Sequence, residues 1–175
     1  MKKLFIASAF ALPFAATAAL AAGGGDEKAP SKPKCETGKI YDKKTKTCVN
    51  AQESNLDLDS LYENVRELAH AGRYADAQVV LSQMPQKDDR TLTYLGFTNR
   101  KMGNMDLAMS YYNEALRVNP ANVLARSYMA QGLVEEGKIS EAIAQLHEIR
   151  ARGGAGTWAE ASLRTAIATG QTFSY

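Results

Sequence analysis

The sequence predicts an all-α fold: a short right-handed α-solenoid of about three helix pairs with a C-terminal capping helix, preceded by a small disulfide-closed β-hairpin. Two observations predict the helices. From Leu56 onward leucine, alanine, glutamate and arginine dominate, and apolar residues recur at helical spacing between regularly placed glycines. A third observation predicts the hairpin, because two cysteines enclose a short segment upstream of the helices.

The first 21 residues have the pattern of a secretory signal peptide and are left out of the fold. Lys2 and Lys3 precede an apolar run at residues 4–20, and the small residues of Ala19-Leu20-Ala21 predict cleavage after position 21. An uncleaved anchor is the alternative, but the run contains Pro13 and is short for a bilayer ~30 Å thick. We therefore expect a periplasmic or secreted protein.

The charge of the chain excludes one class of partner. Its 21 basic and 19 acidic side chains give a formal net charge of +2, and removal of Lys2 and Lys3 brings this to zero. Binding to DNA or RNA needs a dense basic face, so no nucleic-acid partner is expected. Residues 22–34 are rich in glycine, lysine and proline without apolar periodicity, which predicts a flexible linker.

Residues 35–50 are predicted to form the hairpin. Cys35 and Cys48 belong to a chain that is predicted to be exported, where paired cysteines form disulfides. The apolar pair Ile40-Tyr41 precedes a polar stretch at 42–45 that is predicted to be the turn. A disulfide ring of this size stabilises by roughly 3 kcal/mol, enough to hold a segment that has almost no core.

Two other roles for this segment are considered. A structural zinc site wants four ligands, and the only histidines, His70 and His147, are remote in sequence, so no metal or other cofactor is expected. The cysteine spacing resembles that of small extracellular modules that bind chitin or other polysaccharides. This resemblance makes Tyr41 a candidate glycan contact.

A repeated pattern of glycine and alanine predicts the helix pairs. Three glycines stand 31 and 34 residues apart, and an alanine follows each five residues later: Gly72 and Ala77, Gly103 and Ala108, Gly137 and Ala142. Each glycine is predicted to end the first helix of a pair, because the left-handed turn there is unstrained only without a Cβ atom. The alanines, with Gly96 and Ala130, are predicted to let paired helices approach closely. One pair cannot bury its apolar stripe alone, so neighbouring pairs are expected to stack.

The same pattern predicts where the helices lie. They cover residues 56–71, 74–84, 89–102, 105–118, 122–136 and 139–151, followed by the capping helix at 157–169. Ser60–Glu63 has the spacing of a capping box near the start of the first helix. In the capping helix, Trp158 and Leu163 are expected to pack on the third pair while Glu160 faces water.

The middle copy carries a family resemblance. Residues 92–96, Leu-Thr-Tyr-Leu-Gly, and 103–120, Gly-Asn-Met-Asp-Leu-Ala-Met-Ser-Tyr-Tyr-Asn-Glu-Ala-Leu-Arg-Val-Asn-Pro, resemble a near-consensus tetratricopeptide repeat (TPR). The resemblance assigns repeats to residues 56–156, as copies 58–88, 89–122 and 123–156, of which the first is short and the third lacks the closing proline. It implies a stack whose first helices line a concave inner face that receives an extended peptide or a partner helix.

Carried over position by position, the resemblance implies a set of candidate partner-binding residues on the first helices. They are Tyr62, Arg66, Arg90, Tyr94, Phe97, Arg100, Lys101, Ser127, Tyr128 and Gln131. Aromatic and cationic side chains are enriched at interface hot spots, and the four cations suit a peptide that is acidic or ends in a carboxylate. Glutamates in place of Arg100 and Lys101 are expected to abolish partner capture without changing the melting temperature. Tyr62 and Arg66 replace the first lysine and asparagine of the clamp with which some TPR proteins hold chaperone C-termini, so that ligand class is not supported.

The sequence predicts that the protein is not an enzyme. It contains no nucleophile in a recognisable catalytic motif and no glycine-rich phosphate loop. His70 is expected near a helix C-terminus, where the dipole favours its charged form. The predicted function is a non-catalytic adaptor or assembly factor of the cell envelope that binds a protein segment. Envelope glycan binding through the hairpin and self-association through the apolar ends of the stack are the alternatives.

Overall fold

A computed structural model describes residues 34–173 of the 175-residue chain; the predicted signal peptide and residues 22–33 of the predicted linker lie outside the described residues. Within them the elements are β1 (Lys39–Asp42), β2 (Thr47–Asn50), α1 (Leu58–His70), α2 (Tyr74–Leu81), α3 (Asp89–Lys101), α4 (Met105–Val118), α5 (Val123–Glu135), α6 (Ile139–Ile149), a π-helical turn (Arg150–Gly154) and α7 (Trp158–Thr169). The prediction of a mainly helical fold preceded by a hairpin is confirmed. No helix in the described range is long and apolar enough to cross a membrane.

The hairpin is held by the predicted disulfide and by a contact that the sequence does not predict. Cys35 and Cys48 are bonded, with their Cα atoms 5.6 Å apart, and β1 and β2 pair antiparallel. Asn64 of α1 accepts the backbone N–H of Tyr41 at 2.9 Å and donates to the carbonyl oxygen of Tyr41 at 3.1 Å. Ile40 is buried in the helical core. The hairpin is therefore packed onto α1.

Glycines end the first helices as predicted, whereas the predicted capping box is wrong. The backbone φ angles of Gly72, Gly103 and Gly137 are +73°, +87° and +74°, in the left-handed region that favours glycine. Asp57, one residue before α1, accepts the N–H of Ser60 at 2.8 Å. Because Asp57 supplies the N-terminal acceptor, Ser60 lies inside the helix and is not its cap.

Small residues set the close packing of the helices. A Cβ atom on Gly96 of α3 would lie 2.5 Å from Cε1 of Tyr112 on α4, and the predicted alanines Ala77, Ala108 and Ala142 are fully buried. Consecutive helices contact each other, and so do the alternate pairs α1 and α3, α3 and α5, and α5 and α7. We call the surface formed by α1, α3, α5 and α7 the front face.

The last helix differs from its prediction in one side chain. Leu163 is fully buried against α5 and α6, as expected. Trp158 packs edge to face on Tyr128 of α5, as expected, and remains 42% exposed. Glu160, however, is buried. The Glu160 carboxylate accepts the N–H of Gly156 at 2.7 Å and Nε of Arg150 at 2.6 Å. These two bonds hold the pKa of Glu160 below its ordinary value, so the carboxylate fixes the bend before α7 and does not face water.

Candidate functional site

A row of aromatic rings crosses the front face, one from each of its helices. The rings of Tyr62, Tyr94, Tyr128 and Trp158 follow one another with centroid separations of 5.5, 6.1 and 6.0 Å, each pair edge to face. This is a favoured arrangement of aromatic rings. Phe97 joins the row 4.7 Å from Tyr128. Tyr94, Phe97 and Tyr128 are fully buried, so the row belongs to the core at its centre and reaches the surface at its two ends.

The α1 end of the row combines an aromatic ring with two cations. The guanidinium carbons of Arg90 and Arg66 lie 5.2 and 6.0 Å from the centroid of the Tyr62 ring, within the range of a cation–π interaction. Nη1 of Arg90 also donates to Oδ1 of Asp59 at 2.8 Å. Burial raises the pKa of Tyr62 to about 12, so its hydroxyl remains a neutral donor at physiological pH. Tyr62 and Arg90 are half-buried and Arg66 is exposed.

The cation at the centre of the face is in different surroundings. The Arg100 side chain is 0% exposed, and its Nη1 donates to Oε1 of Glu135 on α5 at 2.6 Å. Nζ of Lys101 lies 3.9 Å from the same carboxylate oxygen, and burial followed by the charge of Arg100 lowers the pKa of Lys101. Glutamate at position 100 would place a buried carboxylate beside the partly exposed Glu135. The burial of Arg100 argues against the expectation that this exchange leaves the melting temperature nearly unchanged.

The predicted residues on α5 lie beneath α7. Ser127 Oγ donates to the backbone oxygen of Ala159 at 2.8 Å. Nε2 of Gln131 lies 3.3 Å from that same hydroxyl. Both side chains are fully buried because α7 packs on this side of α5. Contact with a partner at Ser127 would require α7 to move, whereas the side-chain oxygen of Gln131 is covered by the segment that follows α7.

The ten predicted partner-binding residues therefore fall into two groups. Six of them are buried: Tyr94, Phe97, Arg100, Ser127, Tyr128 and Gln131. The other four are exposed or half-buried: Tyr62, Arg66, Arg90 and Lys101. The residue types that the family resemblance selects are present, but only the second group offers surface to a partner while Phe173 covers Gln131.

The C-terminal segment lies on the α7 end of the front face. Gly170 ends α7 with a φ of +72°, and the chain then turns back towards α5. The Thr172 hydroxyl donates to Oε1 of Glu135, and the Phe173 N–H donates to Oε1 of Gln131 at 3.0 Å. The Phe173 ring lies edge to face with Trp158, with centroids 6.2 Å apart. The sequence reasoning missed Trp158 as a surface group, although aromatic residues at 62, 94, 128 and 158 recur near the repeat interval.

A cleft of about 260 Å³ lies between the hairpin and α1. Ile40, Tyr41 and Leu68 contribute to its lining, and Arg73 stands at one side. Nη1 of Arg73 donates to the backbone oxygen of Cys35 at 2.6 Å, and its Nε donates to Asp76 at 2.7 Å. Arg73 is thereby engaged in joining the hairpin to the start of α2. The glycan-binding role of Tyr41 remains a prediction.

Titratable groups form no metal site within residues 34–173, where no cluster of three or more histidine, cysteine, aspartate or glutamate side chains could hold an ion. The surroundings of His70 oppose its predicted charged state. Burial and then the charge of Arg66 lower the pKa of His70. Desolvation and a neighbouring cation thus act against the charged form that the helix dipole favours.

Comparisons with protein-family models, with curated proteins and with solved structures found no match to this chain.

Proposed function

We propose that residues 56–156 form a TPR-like right-handed solenoid of three helix pairs, capped by residues 157–169, and that the protein is a non-catalytic interaction module. Three features of the fold support this architecture. Glycines in the left-handed region follow α1, α3 and α5. Gly96 makes the closest approach within a pair. Alternate helices contact each other in chain order, as expected when helix pairs stack.

The observation that carries the function is the open cluster at the α1 end of the front face. Tyr62 lies under two arginines, of which Arg66 is exposed. An aromatic ring with adjacent guanidinium groups is a typical interface hot spot, and guanidinium binds carboxylates through paired hydrogen bonds. The partner we propose is an acidic peptide segment of another protein, bound by Tyr62, Arg66 and Arg90.

An exported location fits the same proposal. The first 21 residues have the sequence pattern of a signal peptide, and the disulfide between Cys35 and Cys48 is typical of an oxidising compartment. We propose that the protein acts in the cell envelope or outside the cell.

Site-specific photocrosslinking in the producing cells tests the proposed function. A photoreactive phenylalanine at position 62 is expected to form an adduct with another protein. The same residue in place of Tyr111 on α4, away from the front face, is the matched control and is expected to form none. In the position-62 protein, Arg66→Glu with Arg90→Glu is expected to remove the adduct through like-charge repulsion, whereas Arg117→Glu on α4 is expected to keep it. Equal adducts at positions 62 and 111, or an adduct that survives the double exchange, would contradict the proposal.

A further inference from the structure

The C-terminal segment occupies the α7 end of the front face in the way an extended peptide ligand would. Within the described residues it belongs to no helix, and it is attached by one backbone group and two side chains. The backbone group is the Phe173 N–H, which any residue other than proline would also supply. The two side chains are the Thr172 hydroxyl and the Phe173 ring.

The acceptor for the backbone group is a buried amide oxygen on α5. Gln131 is fully buried, and its Nε2 lies within hydrogen-bond distance of the hydroxyls of Ser127 and Ser162, at 3.3 and 3.5 Å. These contacts orient the side-chain amide so that Oε1 accepts from Phe173 at 3.0 Å. A buried acceptor that loses its donor is costly. This position therefore favours an incoming peptide N–H whenever the C-terminal segment is absent.

Two further groups make the site selective. Trp158 lies edge to face with Phe173, so an aromatic side chain of an external peptide that displaces Phe173 meets the same indole. One residue before the ring, Oε1 of Glu135 accepts the Thr172 hydroxyl. An ionised acidic residue in that place has no hydrogen to donate to Glu135, so a hydroxyl donor is preferred there.

We infer that Gln131, Glu135 and Trp158 form a peptide-binding site for an extended segment in which serine or threonine immediately precedes an aromatic residue, and that Thr172-Phe173 is the internal ligand of this site. The chain repeats this pair at its end, since Ser174-Tyr175 follows Thr172-Phe173. The inference rests on the proposed interaction function and adds to it a second subsite, at the opposite end of the front face from Tyr62. An external ligand must displace the internal one, so the full chain binds it with reduced apparent affinity.

Trp158 provides the readout, because it is the only tryptophan of the chain. The titrant is the peptide Gly-Gln-Thr-Phe-Ser-Tyr, which has the sequence of residues 170–175. The Phe173→Ala variant of the full chain is expected to bind it with a saturable change in tryptophan fluorescence. The wild-type protein is expected to bind it about tenfold more weakly or worse, because its own Phe173 competes. The same peptide with alanine in place of phenylalanine is expected to bind the variant about tenfold more weakly, because it lacks the ring contact.

Three results would overturn the inference. The first is that a Phe173→Ala variant whose circular dichroism matches wild type shows no saturable binding. The second is that the variant and wild type bind the peptide equally. The third is that the variant loses helical structure. The last result would mean that the segment is a structural cap. The peptide site and the proposed function fail separately. If the adduct forms at position 62 but the peptide does not bind, only the inference is contradicted. If the peptide binds but that adduct does not form, only the proposed Tyr62 partner site is contradicted.

Discussion

The α1 end of the front face and its centre hold similar side chains in opposite surroundings. At the α1 end, Arg66 is exposed and lies 6.0 Å from the Tyr62 ring. At the centre, the Arg100 side chain is 0% exposed and paired with Glu135 at 2.6 Å. The difference follows from position in the stack. α3 has a front-face neighbour on each side, whereas α1 has α3 on one side only.

This difference separates two uses of an arginine beside an aromatic ring. Arg100 lies 5.7 Å from the Phe97 ring, much as Arg66 and Arg90 lie near Tyr62. With no accessible surface, Arg100 can only join α3 to α5. A cation at the end of the stack remains available to a partner. Substitutions at the centre should therefore change the free energy of unfolding, and substitutions at the end should change binding.

The largest expected effect is that of Arg100→Glu. It removes the guanidinium that pairs with Glu135 and buries a carboxylate beside it, so we expect a loss of about 3–5 kcal/mol in the free energy of unfolding. Urea denaturation followed by circular dichroism measures it. Arg66→Glu is the matched control at the open end, where a change within about 0.5 kcal/mol is expected. Equal unfolding midpoints for the two variants would contradict the distinction between centre and end.

Gly96→Ala tests the packing of the central pair. The new Cβ atom would meet the Tyr112 ring at 2.5 Å, and we expect a loss of about 1–3 kcal/mol from overpacking. Gly132→Ala is the matched control on α5, where the closest atom is the terminal Cε of Met109 at 2.9 Å, the flexible end of a side chain. We expect Gly132→Ala to lower the unfolding midpoint in urea less than Gly96→Ala does. The reverse order would contradict the role of Gly96 as the closest approach within the pair.

The sequence was sufficient for features that depend on local conformation. A glycine at the end of each first helix is dictated by backbone φ, and Gly72, Gly103 and Gly137 have the predicted left-handed angles. The helical spacing of apolar residues likewise predicted the helix positions to within a few residues. The small residue at Gly96 followed from the same repeat spacing and does face Tyr112.

The same pattern could not predict features that depend on how the helices cover one another. The resemblance put Tyr94, Arg100 and Gln131 on a binding face, but it could not show that flanking helices bury them in so short a stack. The contact between Asn64 and the backbone of Tyr41 joins residues 23 positions apart, and no periodicity encodes it. The return of Phe173 to Gln131 spans 42 positions. It depends on the left-handed turn at Gly170, which the sequence reasoning did not use.

An effect of the same size is expected where the hairpin meets α1. Asn64→Ala removes both hydrogen bonds to the backbone of Tyr41, and we expect a loss of about 1–3 kcal/mol together with faster amide exchange at Tyr41. Asn113→Ala, at an exposed position of α4, is the control and should leave both measurements unchanged. If Tyr41 exchanges at the wild-type rate in Asn64→Ala, the disulfide alone holds the hairpin in place.

The smallest expected effect is a pH dependence at the α1 end. Because the pKa of His70 is lowered in the folded state, the unfolded chain takes up its proton at a higher pH than the folded one. Stability is therefore lost as pH falls through the ordinary histidine pKa of about 6.5. The drop in melting temperature between about pH 8 and pH 5 should be smaller in His70→Gln than in wild type. His147→Gln, on α6, controls for the removal of an imidazole elsewhere. An equal drop in His70→Gln and wild type would show that desolvation of His70 does not contribute to the pH dependence of stability. Arg66 and His70 would then both be fully hydrated.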